Sequence, residues 1–323
     1  RKDVVFLPAG DLGKSDLSGK AVVIKIVWYE GRAICPSLFL CEILEYLGAD
    51  VRRASESVVI TPSTIQNKFI EADFSKKLRA SYYFMGALLG KFKHVEMSLP
   101  GGCSIGARPI NLHLKGFEAL GATITTEDDK YIVDAKELKG ADIYLDIASV
   151  GATINIMLAA VLAKGKTVIE NAAKEPEIVN VATFLNNMGA KITGAGTSQI
   201  RIIGVERLNG CFHEVIPDRI EAGTYAIIGA LTGENLKIYN IIPEHIEALT
   251  SKLEEMGADI EIGADYLVIN KKATYKKTSI KTLSDGQKHK LALAKIYSIP
   301  GPKMIFQGDE NANLAYFKFF RKF

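Results

Sequence analysis

The stretch Leu47-Gly48-Ala49 decides the fold, because it returns three more times along the 323-residue chain. The later copies read Leu120-Gly121-Ala122, Met188-Gly189-Ala190 and Met256-Gly257-Ala258. From one copy to the next, the glycines lie 73, 68 and 68 residues apart. A spacing that stays nearly constant over four copies indicates duplicated supersecondary units of about 70 residues.

The residues around each triplet predict the same order of elements. An amphipathic helix ends at each glycine, which suits the left-handed position just beyond a helix. Two strand-like runs follow, such as residues 191–193 and 199–203. A second helix, rich in small and apolar residues, precedes the next triplet, at residues 79–89, 151–163 and 220–231. The order helix, strand, helix, strand, strand predicts an α/β (α+β) protein whose second helices pack in the interior, with functional groups at their N-termini.

Composition and charge narrow the class of protein. A content of 48% hydrophobic and 24% charged residues is typical of soluble globular chains, and no apolar run approaches the length of a membrane span. The net charge of +3 does not favour nucleic acid as a partner but suits a pocket for anions. The four cysteines are too scattered to indicate a disulfide framework or a metal cluster, so we expect a reducing cytoplasm. They are Cys35, Cys41, Cys103 and Cys211.

A Gly/Pro-rich loop holds the first candidate for chemistry. It reads Pro100-Gly101-Gly102-Cys103-Ser104-Ile105-Gly106-Ala107-Arg108-Pro109 and leads into a predicted helix at residues 109–120. A guanidinium and a helix N-terminus near the Cys103 thiol both favour its thiolate, so this thiol could act as an acid or a nucleophile. The alternative is a small apolar cysteine packed in a turn.

Three predicted helix starts carry polar groups. Arg79 and Arg108 stand where the helix dipole disfavours a cation, which is explained if each arginine holds an anion together with free backbone N–H groups. A structural ion pair is the alternative. Ser149-Val150-Gly151 places a serine and free amides at another helix start, where an ordinary N-cap would look the same.

Residues 100–109 resemble the catalytic loop of the UDP-N-acetylglucosamine enolpyruvyl transferases (1-carboxyvinyltransferases of the MurA type). Residues 108–112 are similar to that family's sugar-nucleotide segment, and residues 149–151 to its uridine-diphosphate segment. The resemblance covers residues 32–272. It implies an inside-out α/β barrel-like domain at residues 32–217 and the first module of an incomplete second domain at residues 218–272.

The resemblance also implies a reaction. The enolpyruvyl group of phosphoenolpyruvate would pass to the 3-hydroxyl of UDP-N-acetylglucosamine, in peptidoglycan precursor synthesis, with neither a metal nor an organic cofactor. Cys103 would be the general acid, and Arg79 and Arg108 would hold phosphate or carboxylate charges. The implied substrate-binding residues are Arg79, Arg108, Pro109, Ile110, Asn111, Leu112, His113, Ser149, Val150 and Gly151.

The two ends of the chain leave alternatives open. Residues 1–31 and 273–323 do not match the family, whose N-terminal lysine-asparagine segment and later modules complete its active site. A non-catalytic protein that binds a UDP-sugar is therefore the second hypothesis. The third is a nucleotide hydrolase, because residues 283–310 resemble the signature loop and Walker B strand of ATP-binding-cassette ATPases. In this resemblance, Glu310 would hold the water molecule that attacks the nucleotide. Gly13-Lys14-Ser15 resembles a phosphate-binding loop, but Pro8 replaces the first glycine.

Overall fold

The structure is a computed structural model that describes residues 3–5, 22–25, 36–53, 57–76, 78–98, 110–127 and 129–271. It divides between Ile216 and Pro217 into two compact units. The helices are α1 (Pro36–Tyr46), α2 (Ala72–Ser75), α3 (Tyr83–Phe92), α4 (Asn111–Ala119), α5 (Val150–Ala160), α6 (Pro176–Asn187), α7 (Arg219–Thr232) and α8 (Glu247–Met256). Short 3₁₀ turns cover Pro62–Thr64, Arg79–Tyr82 and Pro243–Ile246.

The strands form four sheets. They are β1 (Asp3–Val5), β2 (Val22–Lys25), β3 (Asp50–Arg53), β4 (Ser57–Thr61), β5 (His94–Ser98), β6 (Thr123–Glu127), β7 (Lys130–Asp134), β8 (Asp142–Tyr144), β9 (Lys166–Glu170), β10 (Lys191–Thr193), β11 (Gln199–Ile203), β12 (Phe212–Glu214), β13 (Leu236–Tyr239), β14 (Asp259–Ile262) and β15 (Tyr266–Asn270). The sheet orders are β12-β1-β2-β4-β3, β5-β7-β6, β10-β11-β9-β8 and, in the second unit, β13-β15-β14. All pairs are antiparallel except β8 with β9.

Each small sheet crosses from one repeat into the next. The strand that follows a second helix pairs with the hairpin that follows the next triplet, so β5 pairs with β7, β9 with β11 and β13 with β15. Along β11 the side chains alternate, with Ile200 and Ile202 buried and Arg201 and Ile203 exposed. One face of such a sheet therefore covers the helices while the other meets solvent.

The four triplets end their helices in one way. Their glycines adopt left-handed φ angles of 98°, 93°, 100° and 104°. At the second triplet, Gly121 N–H donates to Glu118 O (2.9 Å) and Ala122 N–H to Phe117 O (3.0 Å), and the other triplets repeat both bonds. This pair of bonds is the Schellman motif, which satisfies the last carbonyls of a helix. The predicted repeat and its helix ends are confirmed.

Helix α5 lies at the centre of the first unit, where eight of its eleven residues are buried. Helices α3 and α4 approach it through glycines. A methyl group at Gly86 of α3 would lie 2.2 Å from Asn155 O, and one at Gly116 of α4 would lie 2.3 Å from Ile156 Cδ1. The prediction that the small-residue helices pack in the interior is confirmed.

The second unit repeats this arrangement on a smaller scale. Asp218 caps α7, since its carboxylate accepts hydrogen bonds from Ile220 N–H (2.8 Å) and Glu221 N–H (3.1 Å). Glycine again allows close packing, because a methyl group at Gly229 would lie 2.9 Å from Leu236 Cδ2. The core combines α7, α8 and the sheet through Ala222, Ala226, Ala230, Ile241, Ile246, Leu253, Ala258, Leu267 and Ile269.

The second helix of the first repeat differs from its prediction at both ends. The predicted range began at Arg79, but residues Arg79–Tyr82 form a 3₁₀ turn, after which α3 runs to Phe92. Gly90 does not end the helix, because it faces Leu158 O of α5 instead. The helix ends where Lys93 takes a left-handed φ of 62° and its N–H bonds to Leu89 O. The two glycines of α3 therefore serve packing.

Replacement of Gly121 measures the free-energy cost of a left-handed backbone at a helix end, without a steric clash. An added methyl group there would have only Glu137 O nearby, at an ordinary 3.6 Å, so Gly121→Ala adds backbone strain without a clash. We expect a loss of about 1–2 kcal/mol in the free energy of unfolding, measured by urea denaturation. Gly121→Asn should lose less, because asparagine tolerates this conformation. Equal losses in both variants would contradict this account.

Replacement of Gly86 tests the close contact between α3 and α5. The added methyl group would lie within 2.3 Å of both oxygens of Asn155, so we expect Gly86→Ala to lower the free energy of unfolding by about 3 kcal/mol. Gly210→Ala is the control, since no atom lies within 4 Å of that position. The urea midpoints of the two variants compare them directly. A Gly86→Ala protein as stable as the control would show that the helices can separate freely.

Candidate functional site

Several predicted functional residues lie outside the described part of the chain. They are Cys103, Arg108 and Pro109, within residues 99–109. The ATPase-like residues 283–310 and the Gly13-Lys14-Ser15 segment lie outside it as well. The other predicted site residues are described, and most of them belong to three neighbouring elements: the Arg79–Tyr82 turn, the start of α4 and the start of α5.

The N-terminus of α5 provides backbone donors. Ser149 caps it, because its Oγ accepts a hydrogen bond of 3.3 Å from Ala152 N–H. Val150 and Gly151 follow as the first helical residues, and all three are half-buried. A helix start of this kind attracts anions through its free N–H groups and its dipole.

Gly151 is the point at which the three elements meet. A methyl group there would lie 2.9 Å from Tyr82 Oη and 3.1 Å from His113 Cε1. The rings of Tyr82 and His113 contact each other edge to face, with centroids 4.9 Å apart. The guanidinium carbon of Arg79 lies 5.7 Å from the centroid of the Tyr82 ring, within the range of a cation–π contact. The structure thus brings Arg79, His113 and the Ser149–Gly151 segment together around Tyr82.

His113 is held in a dry and electropositive setting. It is only 6% exposed, and its Nδ1 lies 2.9 Å from the side-chain nitrogen of Asn155. Burial, and then the charge of Arg79, lower the pKa of His113 to about 4. The imidazole is therefore neutral at physiological pH.

Tyr83, beside Tyr82, is likewise neutral. Burial is the first cause that raises its pKa, followed by the hydroxyl of Tyr82 and the charge of Glu177. The ring of Tyr83 therefore lies uncharged beside that of Tyr82, with their centroids 4.5 Å apart.

The remaining residues of the predicted sugar-nucleotide segment differ in their surroundings. Ile110 is 4% exposed and belongs to the core, and Leu112 packs against that core. Asn111, between them, is exposed at the first position of α4. Among residues 110–112, backbone atoms and the Asn111 side chain are therefore the groups that can meet a ligand.

The sequence reasoning missed Tyr82, Asn155 and Lys115. Asn155 is the only side chain among the eleven residues of α5 with an amide group, and it lies one turn after Gly151, so a polar residue in an apolar helix was the available signal. Lys115 bonds to Asp146 (2.7 Å), three residues before Ser149, and this contact lowers the pKa of the Asp146 carboxyl. It brings a cation to a loop in which Ile147 and Ala148 carry no charge.

The described residues can be searched for a metal site and for a membrane-spanning helix. Its His, Cys, Asp and Glu side chains form no group of three or more that could hold a metal ion. Among the helices in the described ranges, none is both long and apolar enough to cross a membrane.

The low pKa of His113 makes stability depend on pH. Below pH 6.5 the unfolded chain binds a proton that the folded chain takes up only near pH 4, so the free energy of unfolding falls as the pH falls through this window. Relative to His113→Gln, wild type should lose about 3 kcal/mol between neutral pH and about pH 4 in urea titrations.

A parallel His213→Gln variant separates the contribution of that second histidine, whose pKa burial also lowers. Wild-type and His113→Gln curves that stay parallel over the whole window would show that His113 titrates alike in the folded and unfolded chains.

Comparison with known proteins agrees with this fold. Residues 38–294 match the family model for EPSP synthase (3-phosphoshikimate 1-carboxyvinyltransferase), and this range extends into the segment that the sequence reasoning left unmatched. A protein of Listeria monocytogenes named UDP-N-acetylglucosamine 1-carboxyvinyltransferase 2 is 56% identical over 243 residues, which are 75% of this chain and 57% of that protein. Its namesake in Geobacillus kaustophilus is 54% identical over 244 residues, 76% of this chain and 57% of the relative.

Solved structures show the same architecture. The enolpyruvyl transferase NikO from Streptomyces tendae superimposes with a TM-score of 0.64 at 22% identity, over 81% of this chain and 64% of that one. EPSP synthase from Acinetobacter baumannii gives a TM-score of 0.57 at 20% identity, over 80% and 61% of the two chains. The chain spans about 57% of the length of the curated relatives named above. Family match and fold together establish that the chain belongs to the EPSP synthase family of enolpyruvyl transferases.

Proposed function

We propose that this chain binds UDP-N-acetylglucosamine and takes part in the transfer of the enolpyruvyl group from phosphoenolpyruvate to the sugar 3-hydroxyl. The relatives at 54–56% identity carry the name of that activity. A role in peptidoglycan precursor synthesis, and work in the cytoplasm, come with this proposal. So does the division into a first domain at residues 32–217 and the first module of a second at residues 218–272.

One observation supports the proposal most directly. Arg79, His113 and the free amides of residues Ser149–Gly151 converge at the start of α5. A guanidinium and helix N-terminal N–H groups are the donors that a diphosphate prefers. The neutral ring of His113 and the aromatic rings beside it suit the uncharged parts of a nucleotide sugar. The proposed ligand therefore needs both kinds of surface that this site offers.

The proposed reaction is an addition followed by an elimination. Cys103 gives its proton to the methylene carbon of phosphoenolpyruvate, which leaves an oxocarbenium-like centre at the neighbouring carbon. The sugar 3-hydroxyl adds there and loses its proton, and phosphate then leaves as a proton returns from the methyl carbon. Arg108 would hold negative charge beside Cys103 during these steps.

Phosphate release tests the catalytic part. Release from phosphoenolpyruvate is measured with and without UDP-N-acetylglucosamine, for the wild-type chain and for Cys103→Ala. We expect release that needs both substrates and disappears in the variant. Binding of the sugar nucleotide without any release would support the non-catalytic alternative, and ATP hydrolysis lost in Glu310→Gln would support the third hypothesis.

The role of Arg79 is tested by calorimetric titration with UDP-N-acetylglucosamine. Arg79→Gln should weaken binding about 10- to 100-fold, because a hydrogen bond to a charged partner contributes about 1.5–3 kcal/mol. Arg201→Gln is the matched control, since Arg201 is exposed on β11 and bonds to Gln199 there. Equal affinities for Arg79→Gln and Arg201→Gln would remove Arg79 from the proposed site.

A further inference from the structure

Asn155 makes three hydrogen bonds although it is completely buried. Its Oδ1 accepts from Gly86 N–H (2.8 Å). Its Nδ2 lies 2.9 Å from Tyr82 O and 2.9 Å from His113 Nδ1. A single amide therefore joins α5 to the start of α3 and to the ring of His113.

These bonds decide which nitrogen of His113 carries the proton. The backbone N–H of Gly86 can only donate, so the atom of Asn155 that faces it must be the oxygen. The other amide atom is then the NH₂ group, which donates both to Tyr82 O and to His113 Nδ1. Because Nδ1 accepts this bond, it is the bare nitrogen, and the proton of the neutral ring lies on Nε2.

Nε2 remains available for a ligand. Within the described residues, no protein group bonds to Nε2. Nε2 is also not a buried atom left without a partner, so within this part of the chain it can be reached from outside the protein. The adjoining Cε1 is the ring atom nearest to Gly151. Because Asn155 occupies Nδ1, Nε2 is the free nitrogen bonded to the ring atom that meets the helix N-terminus.

We propose that Asn155 is a positioning residue that fixes His113 as the neutral ring with its proton on Nε2, so that the site presents an N–H donor to an oxygen of the bound sugar nucleotide. The ligand in this proposal rests on the proposed function, whereas the tautomer does not. Asn155 itself acts through His113 and through the first turn of α3.

Charged and titratable groups face His113 from several elements. Arg79 and Tyr82 face it from the 3₁₀ turn, and Tyr83 from α3 has a raised pKa. Helix α5 contributes no titratable residue. Further out are Glu177 of α6, beside Tyr83, and the pair Lys115 and Asp146.

The tautomer can be measured on the wild-type chain without a ligand. Nitrogen-15 NMR of the histidine rings distinguishes a protonated from a bare nitrogen. We expect His113 to keep a bare Nδ1 and a protonated Nε2 at every pH well above its pKa of about 4. A proton on Nδ1 would overturn the proposal, whatever the protein binds.

Asn155→Asp tests the consequence for binding. A carboxylate still accepts from Gly86 N–H and loses the bond to Tyr82 O. It also accepts from His113, so the proton of the neutral ring moves to Nδ1 and the pKa of His113 rises. Below that raised pKa the ring is charged and Nε2 still donates; above it Nε2 is bare. Affinity for UDP-N-acetylglucosamine should therefore fall about tenfold as the pH rises through the new pKa, while wild type stays flat.

Two control variants distinguish a positioning role of Asn155 from a purely structural one. Asn186→Asp changes another asparagine whose side-chain amide bonds to a backbone N–H and C=O, both of Ile192. It should leave the binding of the sugar nucleotide independent of pH. Adding His113→Gln to Asn155→Asp should abolish the new pH dependence.

The outcomes are distinguishable. Wild type that binds the sugar nucleotide while Asn155→Asp shows no pH dependence would overturn the positioning role. Wild type that fails to bind at any pH would overturn the proposed function and the ligand assigned to Nε2, and the NMR result would still decide the tautomer.

Discussion

The contact between α5 and the start of α3 is the constraint on which the first unit depends. Asn155 replaces hydrophobic contact with hydrogen bonds at the centre of an apolar core, and it can do so only because Gly86 leaves room for its carbonyl groups. A buried amide that lost these partners would be left with unmet hydrogen bonds at a free-energy cost of about 1–3 kcal/mol each. The close approach of α3 and α5 and the hydrogen bonds of the buried amide therefore depend on each other at one helix crossing.

That crossing also forms the site. The same amide that binds the helices orients His113, and the same turn that carries Tyr82 O carries Arg79. Backbone donors at the start of α5 stand one turn from Asn155, so the interior of the unit and its binding surface share residues. A functional group placed on such a support loses little entropy when a ligand arrives, because its side chain is already held.

Local rules made most of the fold predictable. Glycine just beyond a helix and the strand-like runs that follow it predicted the repeat, and the structure has a left-handed glycine followed by strands at all four triplets. The ends of α3 were less accessible, because Gly90 looks like a helix end and serves packing instead, while Lys93 takes the left-handed position. For the site, the sequence indicated Arg79 and Ser149 as residues at predicted helix starts, although Arg79 lies in the 3₁₀ turn that precedes α3. Asn155 was not singled out, since its role depends on Gly86 and Tyr82, which lie 69 and 73 residues away.

The pairing of strands across repeats has a consequence for how this protein can be divided. If a repeat is counted from one triplet glycine to the next, its hairpin pairs with a strand of the preceding repeat. Thus β7 pairs with β5, and β11 pairs with β9. A chain cut at a triplet would therefore separate a central strand from its neighbour and expose an aggregation-prone edge. Counted instead from β5, the segment of strand, helix and hairpin closes its own sheet. Counted from β9, it forms all of its sheet except the edge strand β8. The natural points for circular permutation lie between a hairpin and the second helix that follows it.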